Sequence, residues 1–244
     1  MENAFRRLEA QVPRPVPKPA KDSFVFRYAE ETIEQALVQK LARVISGLRA
    51  ADVLLGHGFV QEQAVLHRTF DELNEDILFL AAAITNDGRT ELHERYLKAF
   101  YAEDFSDFGD PVGSLQDRDM VPRKKIQAYL ARVLGTGVNP SKDIAVARTI
   151  SKAYSGFVHA ASPHIMDMCG GEPPKFYLSG MLGTQRVSEH GDDAWNYVYR
   201  GLLSTNAVAK AFGDESLVEA LYRYIEKFET ASGKNYHGAI RAET

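Results

Sequence analysis

Residues 144–165, IAVARTISKAYSGFVHAASPHI, set four polar side chains where one helix would align them. Arg148, Ser155, His159 and Ser162 recur at helical spacing beside a small or apolar face of Ile144, Ala147, Ser151, Tyr154, Val158, Ala161 and Ile165. Histidine titrates near neutral pH, and a guanidinium and hydroxyls beside it suit proton transfer or anion binding. His159 falls near the expected end of that helix, where the dipole favours imidazolium. Ser155 alone makes no nucleophilic dyad, since the hydroxyl needs reach and its base an orienting carboxylate. The plainer reading is a core histidine satisfied by a serine and a backbone carbonyl.

A second set lies on the helix expected over 59–85. Leu66, Phe70, Leu73, Ile77, Leu80 and Ile84 alternate spacings of four and three, which makes a continuous apolar seam. His67, Asp71 and Asn74 share an arc beside the seam and read as a solvent face. Arg68, Glu72 and Glu75 share another arc with Val65 and Phe79, so Arg68 and Glu72 are expected to be mostly buried as an i,i+4 pair. The catalytic candidates are therefore His159 as acid or base, Arg68 as the cation and Glu72 as its carboxylate, facing one another across a groove. Arg148, Ser155 and Ser162 are the binding candidates.

Metal chemistry has less to work with. His159, His164, Asp167 and Cys169 sit close in sequence around Pro163, but neither C-x-x-C nor H-E-x-x-H occurs, and no metal or cofactor is expected. Glu72-x-x-Glu75 and Glu91-x-x-Glu94 resemble the acidic signature of Mg-dependent all-α nucleotide pyrophosphohydrolases, with Glu94 where that pattern has aspartate. Neither G-x-x-x-x-G-K-[ST] nor G-x-G-x-x-G is present, and the acidic stretch after residue 103 lacks the order of a calcium loop. Arg123-Lys124-Lys125 reads as a solvated face, with an anion or RNA contact as the other use.

The elements that must carry these groups are helical. Ile33, Leu37, Leu41, Val44, Leu48 and Ala51 recur at three or four residues, and Gly56 and Gly58 end that run. Thr90 to Ala102 follows, with Leu92, Tyr96, Ala99 and Phe100 on one side. Residues 103–122 hold six acidic residues, two glycines and two prolines, and read as a long mobile loop. Pro122 opens a helix closed by Gly135, and Asn139-Pro140 caps the central one, which Ser162-Pro163 kinks or restarts. Two helices, 186–211 and 215–231, flank Gly213-Asp214. No alternating strand pattern of convincing length is present. The expected fold is all-α, about seven helices, as a single domain over 23–244 behind a proline-rich arm at 1–22.

Composition narrows the class. A formal net charge of −4 argues against bulk DNA binding. The lone Cys169 precludes an intramolecular disulfide and fits a reducing compartment. MENAFRRLEA has no apolar core of a secretory signal, and ILFLAAAI, the most apolar run, is too short to span a bilayer. A cytoplasmic protein without a membrane partner is expected. The arm and the apolar content point to a homodimer, with residues 1–22 crossing to the neighbour.

HRTFDELNEDILFL (67–80) and KAYSGFVHAA (152–161) resemble a class of bacterial helical proteins in which an Arg-x-x-x-Glu helix packs against a Ser-x-x-Val-His helix. That class is grouped by shape with the HEPN-like bundles. HEPN ribonucleases separate Arg and His by four to six residues on one helix. Here Arg89 to His93 and Arg186 to His190 have three between, and Arg148 to His159 ten. The resemblance implies an HEPN-like bundle that dimerises, and no established role carries over to Arg68, Glu72 or His159 with it. The function expected is a binding or regulatory protein, in phage defence or a toxin–antitoxin setting, with an RNA or protein partner. An RNA-cleaving or phosphoryl-handling enzyme using His159 and Arg68 is the alternative.

Overall fold

The computed structural model describes residues 1–20, 23–86, 88–107, 109–110, 112–133 and 154–233. Arg148 lies outside these, with Ile144, Ala147, Ser151, Gly135 and the Asn139-Pro140 cap. The described chain is mostly helical, with two small two-stranded sheets that the sequence did not lead one to expect.

Within the span expected as an arm, Glu2–Glu9 (α1) is a helix that buries Ala4, Phe5 and Leu8 in the chain's own core. Val16–Ala20 (β1) then pairs antiparallel with Ser23–Arg27 (β2), setting Pro17 opposite Phe26 and Pro19 opposite Phe24. Proline has no N–H to give a ladder. The reciprocal bonds therefore fall at Val16–Arg27, Lys18–Val25 and Ala20–Ser23, and alternate prolines are compatible with a strand whose other edge is open.

Ile33–Gly56 (α2) starts at Thr32, whose side chain accepts from Gln35 N while the Gln35 side chain accepts from Thr32 N, a reciprocal cap. All six residues of its expected seam are buried. Val60–Thr85 (α3) returns antiparallel to α2 and buries Phe70, Leu73, Ile77 and Leu80. Glu91–Tyr101 (α4) follows, and after the 102–122 strap comes Arg123–Val133 (α5) against α3.

The expected central helix is interrupted. Residues 154–158 are helical, His159 and Ala160 form a turn with Ala160 at φ +50°, and Ser162–Met166 (α6) starts a new helix with Pro163 in its first turn. In a continuous helix Pro163 could not donate to the His159 carbonyl four residues back and its ring would clash with it, so the helix breaks at His159–Ala160 and restarts with Pro163 in a first turn. The polar stripe is cut with it, since Ser162 belongs to a different helix from Ser155.

Cys169–Gly170 (β3) and Lys175–Phe176 (β4) form the second sheet. Gln185–Ala211 (α7) packs against both α2 and α3, and Glu215–Ala231 (α8) folds back on α7 from the Asp214 cap. Among the described residues no helix is long and apolar enough to cross a membrane.

The loop before α7 is seated on the turn between α2 and α3. Met181 N donates to Gly58 O at 2.8 Å, and Gly180, at φ +93°, passes so close that a Cβ would stand 2.1 Å from His57 O. Gly180→Ala should therefore lower stability by more than the roughly 1–3 kcal/mol of local backbone strain alone. Gly183→Ala supplies the comparison, because Gly183 has φ +81° but open space around it. Urea midpoints should fall further for Gly180→Ala; equal shifts would contradict this packing.

Candidate polar site on the central helix

α3 is polar on two arcs, and neither is a free surface. The arc expected to face solvent is instead its most enclosed: His67 is 1% exposed, Asp71 6% and Asn74 5%. The reason is α7, which runs parallel to α3 and brings a matching polar stripe. His190 Nδ1 lies 3.0 Å from Gln63 Oε1, Arg200 Nη1 donates to Asp71 Oδ1 at 2.6 Å and Tyr197 O–H at 3.3 Å, and Ser204 O–H donates to Asn74 Oδ1 at 2.7 Å. A buried polar group is tolerated only when it finds such partners.

His67 lies at the centre of this seam. Its ring stacks on Tyr197 at 3.8 Å and meets the Tyr154 ring edge-on at 6.0 Å. Burial, followed by the positive influence of His190 and Arg200, pushes its pKa down to about 3. It is therefore neutral at neutral pH. Two atoms of the seam, His67 Nδ1 and Asp71 Oδ2, are buried without a hydrogen-bond partner among the described residues.

The second arc faces α2, α4 and α5. Asp76, with a side chain 3% exposed, receives Lys40 Nζ on Oδ2 at 2.6 Å. Arg123 Nη1 stands 2.7 Å from Asp76 Oδ1, a close ion pair. Burial alone would raise the Asp76 carboxyl; Lys40 and Arg123 more than reverse that and hold it below the usual carboxylate range. Glu75 goes the other way: burial pushes it up despite Gln127 and Arg123. Lys40 also lies over the Phe100 ring at 4.8 Å and near Tyr96 at 5.4 Å. Beside this network is a cavity of about 530 Å³ whose wall includes Thr69, Glu72, Phe100 and Arg118.

Among the described residues no hydrogen bond or ion pair assembles the expected catalytic group. Arg68 and Glu72 do pair, at 2.7 Å, but with side chains 20% and 42% exposed, so Glu72 is half in water. His159 is exposed beyond the 154–158 helix, bound through its backbone N–H to Ser155 O at 3.1 Å, with Ser155 half-buried and Ser162 exposed. Among the described residues no hydrogen bond or ion pair joins His159 to Arg68 or Glu72. What packs the 154–158 helix on α3 is Tyr154, beside His67, with its O–H donated to Asp193 Oδ2 at 2.6 Å.

The two carboxylate pairs also part. Glu72 and Glu75 turn to Arg68, Arg123 and Gln127, while Glu94 pairs with Arg89. Among the described residues no group of three or more His, Cys, Asp and Glu side chains could hold a metal ion. No protein-family model, curated protein or solved structure matches this chain.

The residues missed from sequence are those of the seam. One signal was there: His67, Asp71 and Asn74 at steps of four and three, mirrored by Tyr197, Arg200 and Ser204 at steps of three and four.

The two arcs predict different responses. Asp76→Asn leaves Lys40 and Arg123 without their buried carboxylate and should cost about 3–5 kcal/mol, whereas Glu72→Ala should cost less than about 1 kcal/mol. Urea denaturation compares them, and equal losses would contradict the burial order. His67 sets a pH dependence. Its folded pKa lies below the ordinary value, so the unfolded chain takes up the proton first. Its contribution is complete above the ordinary histidine value of about 6.5 and falls as pH drops toward 3, by up to about 1.4 kcal/mol per pH unit. His67→Phe keeps a stacked ring that cannot titrate, so its acid limb should be shallower than wild type. An unchanged slope would rule His67 out.

Proposed function

We propose that this chain is a binding or regulatory protein built as a bundle of HEPN-like shape. The observation that carries this reading is the condition of its central histidine. An acid–base catalyst works best with a pKa near the operating pH and must reach its substrate. His67 lies at the heart of the molecule, yet it is sealed between aromatic rings and held neutral. Asp71 and Asp76 are each engaged by cations from neighbouring helices. The groups with the chemistry serve the interior, and among the described residues no carboxylate or cation is bonded to the exposed His159.

The HEPN-like shape is supported by one contact. Tyr154, in the segment of the Ser-x-x-Val-His pattern, lies on His67, next to the Arg68–Glu72 pair of the Arg-x-x-x-Glu pattern. Cytoplasmic residence and a protein or RNA partner belong to the same proposal.

The competing reading is RNA cleavage by His159 and Arg68. Acid–base catalysis is worth roughly 10²–10⁴-fold, so the two readings separate in one assay. Purified protein incubated with a mixed RNA pool should leave it intact. Cleavage that His159→Ala abolishes, in a variant that still folds, would overturn the binding reading.

A further inference from the structure

The β1–β2 hairpin protects one of its edges and leaves the other open. On β1, Pro17 and Pro19 have no N–H to offer an incoming strand. On β2 the residues whose N–H and C=O face away from β1 are Phe24 and Phe26. Phe26 O accepts Arg27 Nη1 at 2.8 Å, and among the described residues no turn, loop or cap bond reaches the backbone of Phe24. Their side chains are 56% and 58% exposed and meet edge-on, with ring centroids 5.3 Å apart. Ser23-Phe24-Val25-Phe26 carries no charge, proline or bulge, the devices by which sheet proteins keep such an edge from pairing; one charged residue, Arg27, ends the strand, tied to Glu103 and to Phe26 O.

The geometry points to a second copy of this chain as the occupant, paired antiparallel along β2 about a two-fold axis at Val25. Phe-Val-Phe reads the same in both directions, so this register sets Phe24 of one copy opposite Phe26 of the other. The outward N–H and C=O groups of both residues then bond reciprocally, with Phe26 O using its second lone pair beside Arg27 or releasing it, and the four Phe side chains share one face of a four-stranded sheet. An isologous contact needs this kind of self-complementary patch. A five-residue edge with its Phe pairs covers a few hundred Å², short of the roughly 800 Å² per partner of a standard interface. The dimer should therefore be weak and concentration-dependent. This inference rests on the binding reading and names its partner.

The register gives the test. At the axis, Val25 faces Val25 of the other copy as a non-hydrogen-bonded pair, with Cα atoms about 4.5 Å apart, inside the range a disulfide spans. In a Cys169→Ser background, Val25→Cys should form a disulfide-linked dimer under mild oxidation. Ser23→Cys should not, since its two copies would be separated by four residue steps along the strand, about 13 Å. Phe24→Pro removes an outward donor without touching the ladder to β1. By sedimentation it should remain monomeric at concentrations where wild type gains mass, with helix content unchanged. Cross-linking at neither position, or equally at both, or a wild type that remains monomeric throughout, would overturn the second copy as occupant. The binding reading would survive that failure, because it falls only to His159-dependent RNA cleavage.

Discussion

A carboxylate that almost never meets water ties this protein together. Asp76 sits on α3 with Lys40 from α2 on one oxygen and Arg123 from α5 beside the other. An unpaired ionised group in that position would cost several kcal/mol, so the three helices cannot separate without exposing or stranding charge. Arg123 is the first residue of α5, and Val121 just before it is buried. The ion cluster therefore also fixes where the 102–122 strap must end. The same constraint repeats one arc away, where Asp71 is held by Arg200 and Tyr197 and fixes the setting of α7. α3 is a core helix with charges on it, and its neighbours are placed by the need to answer those charges.

This arrangement shapes what the molecule can do. Groups that a surface cleft would use for proton transfer are spent on holding helices in register. The aromatic rings reinforce that use: Tyr197 and Tyr154 close over His67, and Trp195 stacks between Tyr199 and Phe228 at the α7–α8 contact. The uncommitted features lie outside, in the exposed Phe pair of the hairpin and its open edge. The interior is still mainly apolar, with its few buried charges placed on α3 and its neighbours.

Much of the helical frame was legible. The seam of α2, that of α3 from Phe70 to Leu80, the cap at Asp214 and the Gly213 break follow from spacing and local chemistry, which need no knowledge of neighbours; Ile84, at the end of the α3 seam, is exposed instead. The hairpin was not, because alternate prolines suggest an arm unless the strand that pairs with their free edge is known. α1 was missed because eight residues with two arginines and two glutamates declare a helix only once Phe5 and Leu8 find the core. The site was least legible. Whether His67, Asp71 and Asn74 face water depends on which helix lies across them, and a single helix pattern does not carry that. The stripe through His159 and Ser162 failed on a local rule, since a proline at 163 breaks the helix that would have aligned them.

Polar side chains of α3 act as interior ties. A double-mutant cycle joining Lys40→Met with Asp76→Asn, read by urea denaturation, tests it most directly. The predicted coupling is well above the ~1 kcal/mol ceiling of exposed ion pairs. Additive losses, with no coupling between the two positions, would contradict it.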